Sequence, residues 1–128
     1  MTEESGLPPI TVITDEDAVL INILKDVVAE RAYQEEKFPG QDPEIGLIGT
    51  RYDRMSARSI KTRIDSLLTR KKIGEGHGPT MRDILEEEVA ELMACAPGDL
   101  DAQYDELIDV MASCALWARK IRRLQSRV

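Results

Sequence analysis

Residues 84–92 read ILEEEVAEL, and residues 104–112 read YDELIDVMA. Both stretches keep apolar residues three and four apart, the spacing of one face of an α-helix. At about 100° per residue, Leu85, Val89, Leu92 and Ala96 mark the centre of an apolar stripe on the first stretch. Glu88 and Glu91 run along one edge of that stripe with Ile84 and Cys95, and Glu87 lies just beyond. On the second stretch Glu106 borders Val110, Met111, Cys114 and Ala118, and Asp109 lies one step further out. Pro97-Gly98 breaks the chain between them, and Asp99 is placed to cap the helix that follows. The expected unit is a helical hairpin with carboxylates on facing edges, Glu91 and Glu106 at comparable distances from the turn.

Such crowding is costly. Like charges at helical spacing repel, and placing them beside an apolar stripe costs several kcal/mol per ion unless something compensates. Neither helix supplies a Lys or Arg three or four residues from these acids; Arg82, near the start, lies five residues before Glu87. A hard divalent cation with carboxylate ligands resolves the conflict, and Mg²⁺, Mn²⁺ or Ca²⁺ fits that description. The other reading is an acidic face satisfied by water.

Outward from the hairpin, the pattern stays helical. The third helix is expected to begin at Thr80, with Asp83 at its N3 position, and to end before Pro97. The fourth is expected to run to about Gln125, with Tyr104, Leu107, Ile108, Met111, Ala115, Ala118 and Ile121 facing inward. A first helix is predicted over Asp15–Lys37, with Thr14 as N-cap and Asp17 completing a capping box. Its stripe comprises Leu20, Ile23, Leu24, Val27 and Val28. A second is predicted over Tyr52–Lys72, with Ala57, Ile60, Ile64, Leu67 and Leu68 on one face. The connection before it carries Pro39, Gly40, Pro43, Gly46 and Gly49, and long ordered connections in compact domains are often functional. GEGHGP, residues 74–79, lacks a following GK[ST] and reads as a turn rather than a P-loop. Nothing alternates with period two. The fold class is all-α.

Composition agrees. A chain of 128 residues with 42% apolar and only 4% aromatic residues suits one helical domain with an aliphatic core, residues 1–13 forming a flexible or extended lead-in. The net charge of −7 argues against general nucleic-acid binding. It is segregated: Arg82 to Asp109 holds ten acids and one base, whereas Arg51 to Lys72 holds eight bases and two acids. Cys95 and Cys114 sit in apolar runs, lack CxxC spacing and read as buried thiols of a reducing compartment. With no apolar leader and no run of ~20 apolar residues, the expected location is the cytoplasm, away from membranes.

EEVAE (Glu87–Glu91), a gap of fourteen residues and ELID (Glu106–Asp109) resemble the EExxE…ExxD signature of the MazG-like all-α NTP pyrophosphatases. ERAYQEEKFPGQ, residues 30–41, is similar to the ERxRQxxKWGxQ segment found upstream in one branch of small MazG-like proteins. The resemblance implies a four-helix bundle that associates as a homodimer or homotetramer. It also implies Mg²⁺- or Mn²⁺-dependent hydrolysis of a nucleoside triphosphate to a monophosphate and pyrophosphate. Carried over, Glu88, Glu91, Glu106 and Asp109 are the metal ligands, and Glu87 completes the shell or accepts a proton from the attacking water.

For the rest of the substrate, Arg31, Gln34 and Phe38 continue the stripe of the first helix, and Lys37 and Gln41 match the upstream segment. Arg31 would pair with an acid or reach a phosphate, which a guanidinium fork suits. Phe38, where the related segment commonly has Trp, would stack on a base or pack in the core. The basic second helix, with Arg54, Arg58, Lys61, Arg63 and Arg70, either steers a nucleotide or is a solvated face. Three rivals stand beside this reading. One is a dUTPase/dCTPase-like or phosphoribosyl-ATP pyrophosphohydrolase on the same scaffold, and another is a non-catalytic helical dimerisation or regulatory module. The third, a ferritin-like di-iron site, needs Glu-x-x-His on two helices, and His77 is the sole histidine.

Overall fold

The computed structural model describes residues 14–40 and 42–127. The expected lead-in over 1–13 and the matching Gln41 therefore lie outside the described residues. Four helices follow in order, α1 (Asp15–Lys37), α2 (Arg51–Lys72), α3 (Met81–Met93) and α4 (Leu100–Gln125). No strand occurs among the described residues, and no helix is long and apolar enough to cross a membrane.

Local chemistry fixes the helix starts. Thr14, Thr50 and Thr80 each accept a hydrogen bond from the N3 backbone N–H, and the carboxylates of Asp17, Asp53 and Asp83 each accept one from the cap residue's N–H. These reciprocal bonds satisfy donors that a helix start otherwise leaves orphaned. They also hold the carboxyls of Asp17 and Asp83 below the usual range. The Thr50–Asp53 box sets α2 one residue earlier than the expected Tyr52. Asp99 Oδ1 accepts from the Ala102 N–H at 3.0 Å and caps α4.

The chain divides into two compact units, Met1–Glu44 with Ala115–Val128, and Ile45–Cys114. In the first, Glu16 of α1 pairs with Arg119 at 3.7 Å and with Arg123, and Asp26 pairs with Arg122 at 3.2 Å. No residue of α1 is buried.

In the second unit α2 and α3 form the closely packed pair. Ile64 at 5% exposure and Ile48 at 8% form its core. Arg63 ties α2 to α3 through Asp83 at 3.5 Å and Glu86 at 2.8 Å. The three residues before α2 act as a strap. Ile48 is buried, the Gly49 N–H donates to Met93 O at 2.8 Å, and Thr50 caps α2. Gly49 adopts φ +77°, and a Cβ there would strike the Cys95 carbonyl and the Pro97 ring.

The strap also explains why α3 ends at Met93 rather than running on to Pro97. Another turn of helix would give the Met93 carbonyl to the N–H of residue 97, and proline has none. Gly49 supplies the missing donor. The expected inward stripes need correction as well. Leu24, Val27 and Val28 of α1, Leu68 of α2, Val89 of α3, and Tyr104, Leu107, Met111 and Ile121 of α4 are all exposed. The thiols expected to be buried fare likewise: Cys95 is half-buried and Cys114 is exposed. Periodicity marks an apolar face but does not supply the surface that covers it.

Candidate metal centre

Glu88 and Glu91 sit one turn apart on α3, and Glu106 sits in the second turn of α4. Each offers an oxygen to a group whose ligand atoms all lie within 4.8 Å of one another, and all three side chains are half-buried. One atom stands out: Glu106 Oε2 is buried and has no hydrogen-bond partner. A buried carboxylate oxygen without a donor carries its full desolvation penalty.

The electrostatics show the same stress. Burial pushes the Glu88 carboxyl up to about 7, helped by the negative charges of Glu91, Asp109, Glu106 and Glu87. Burial also raises Glu106, with Glu91 and Asp109 adding to the effect. The Cys95 thiol, whose Sγ lies 3.5 Å from Glu91 O, is raised by burial and then by Glu106, Asp99 and Glu91. Three oxygen donors, one of them orphaned, and no cation among them form a donor set that fits a hard divalent ion.

The other expected acids are placed differently. Glu87 is outside the trio; burial and the charge of Glu91 raise its carboxyl, while Lys61 on α2 works against the rise. Asp109 is exposed one turn along α4 from Glu106, near enough for its charge to act on both Glu88 and Glu106. Lys61 is thus a neighbour of the acidic face, whereas Arg54 donates to Gly49 O and Arg63 braces α3.

The expected substrate contacts lie on α1 and its cap. Arg31 donates to Gln34 Oε1 at 2.6 Å and pairs with Glu35 at 3.4 Å, so its partner in this structure is an acid. Phe38 is 53% exposed, which excludes core packing as its role. Lys37 places its ammonium 5.5 Å from the Phe38 ring centre and 5.9 Å from that of Tyr33. His77 Nδ1 lies 2.6 Å from Gly78 O, in the irregular connection between α2 and α3.

One residue of this region was not singled out from the sequence. Gln103 is 5% exposed, and its Nε2 donates to Ala96 O at 3.1 Å and Pro97 O at 3.0 Å. A glutamine in a helix carries no signal of burial, so only the folded geometry reveals it. Comparison with family models, curated proteins and solved structures gave no match.

Proposed function

We propose that this chain is a metal-dependent nucleoside triphosphate pyrophosphohydrolase with a MazG-like helical fold, acting in the cytoplasm. The observation that carries the reading is the convergence of Glu88, Glu91 and Glu106, together with the unpartnered, buried Oε2 of Glu106. Mg²⁺ or Mn²⁺ is the proposed ion, held by these three residues with Asp109 and Glu87 at the margin. When bound, it supplies positive charge against the triphosphate and the charge developing in the transition state.

The chain's own residues do the rest. Glu87, set off from the trio, accepts a proton from the water that attacks the α-phosphorus, and the bond to the bridging oxygen breaks to release pyrophosphate. Lys61 on α2 opposes the rise of the Glu87 carboxyl. Arg31, Gln34, Lys37 and Phe38 are the nucleotide contacts that the resemblance implies, the guanidinium suiting a phosphate and the ring a base. Exposed apolar residues on α1 and α4 support association into a homodimer or homotetramer.

The test is pyrophosphate release from the eight common NTPs and dNTPs with Mg²⁺ or Mn²⁺, run beside Glu88→Gln. Turnover of at least one nucleotide, lost in the variant, is expected. No turnover of any nucleotide, or an unchanged rate in Glu88→Gln, refutes the assignment.

A further inference from the structure

The trio draws ligands from α3 and α4, yet these two helices lack the extensive backbone packing that joins α2 to α3. What brings Glu106 to Glu88 and Glu91 must then lie near the turn between the helices. Along residues 94–99 the backbone folds through Ala94 N–H to Ala90 O at 3.0 Å, Cys95 N–H to Leu92 O at 3.2 Å and Asp99 N–H to Ala96 O at 3.1 Å. Those bonds shape the turn itself. They do not fix the direction in which α4 leaves it.

Gln103 does. It is the buried polar residue of the described chain, one turn before Glu106 on the same helix. Its amide nitrogen spends both hydrogens on the turn, one on Ala96 O and one on Pro97 O. Two bonds from one planar group to successive carbonyls fix both distance and orientation, which a single bond does not. The turn that carries these carbonyls is itself held on either side of Ala96. Pro97 and the Cys95 carbonyl abut Gly49 so closely that no Cβ fits there, and Gly49 is bonded to the end of α3. The amide thus ties the first turn of α4 to a turn that the strap already locks onto α3.

We infer that Gln103 is a positioning residue of the metal centre: it pins α4 at the angle that delivers Glu106 to Glu88 and Glu91. The inference rests on the metal reading above and adds a residue that touches neither ion nor substrate. Residues that orient metal ligands from behind typically change metal affinity by about 10- to 100-fold when lost.

The experiment measures Mn²⁺ affinity by titration calorimetry or by the spin signal of free Mn²⁺, well below the melting temperature of every variant. Gln103→Met keeps the length and apolar stem but removes both donors, and Ile64→Val trims the α2–α3 core as a control for stability alone. Wild type should bind Mn²⁺, Gln103→Met at least about 10-fold more weakly, and Ile64→Val within a factor of about two. If Gln103→Met does not fold by circular dichroism, Gln103→Asn carries the test. It keeps the amide but falls one methylene short of both carbonyls, and weaker binding is again expected.

Wild-type affinity in the glutamine variant, or an equal loss in Ile64→Val, overturns the inference while leaving the metal reading intact. Absence of Mn²⁺ binding in the wild type overturns both.

Discussion

Removing a charge from the acidic trio should stabilise the protein, provided no metal is present. Glu88 shows this best, because its carboxyl is displaced from 4.5 to about 7. At about 1.4 kcal/mol per pH unit, the displacement corresponds to roughly 3 kcal/mol for keeping Glu88 ionised in the folded state. The side chain is only half-buried, so solvent screening reduces this to about 1–2 kcal/mol. Gln is nearly isosteric and neutral. In chelator near pH 8, Glu88→Gln should therefore melt roughly 4–8 °C above wild type, at about 4 °C per kcal/mol for a chain of this size.

The pH dependence follows from which state holds the proton. Between 4.5 and about 7 the folded protein retains a proton on Glu88 that the unfolded chain has released. Metal-free wild type thus loses stability as pH rises through that window and levels off above it, and the advantage of the variant shrinks toward the acid end. Saturating Mn²⁺ should reverse the order. Binding to the native state at a hundredfold excess over Kd adds about 2.7 kcal/mol to wild type, and the variant, short of one ligand, gains less. Thermal melts in EDTA and in Mn²⁺, at two pH values, give the whole pattern. Glu88→Gln melting at or below wild type in EDTA near pH 8 refutes the reasoning, as does a wild-type stability that does not fall with pH.

Two further outcomes are expected. Gly49→Ala combines a positive φ with a clash against the Cys95 carbonyl and the Pro97 ring, and should cost about 2–4 kcal/mol in denaturant melts; a loss below about 1 kcal/mol would show that the strap can shift. Phe38→Ala removes an exposed ring, so it should leave stability within about 0.5 kcal/mol while raising KM for the nucleotide; an unchanged KM removes Phe38 from base recognition.

The helices were legible because their signals are local. A threonine followed three residues later by aspartate marks three starts, and the one missed, Thr50–Asp53, carries the same pattern. The apolar stripe of α2 begins only at Ala57, well after that cap, so periodicity alone sets the start late. The trio was legible for a related reason, since helical spacing alone places Glu88 and Glu91 on one edge and a short Pro-Gly turn returns the chain toward them. Three features were not legible. Gln103 resembles any surface glutamine until the turn closes on it, and Gly49 resembles a flexible loop glycine until Cys95 and Pro97 press against it. The exposure of Tyr104, Leu107 and Met111 depends on what other surface is available, which a stripe on one helix does not encode.

The connection between α1 and α2 is unequal along its length. Ile45 and Leu47 are largely exposed, and a Cβ at Gly46 would meet only open space. Residues 48–50 instead hold a core side chain, the end of one helix and the start of another. Added length or a cleaved bond upstream of Ile48 leaves the α2–α3 pair its fastening, whereas one extra residue between Ile48 and Thr50 puts the anchor and the cap out of step. For grafting a tag or a reporter into the chain, that border separates permissive ground from forbidden ground.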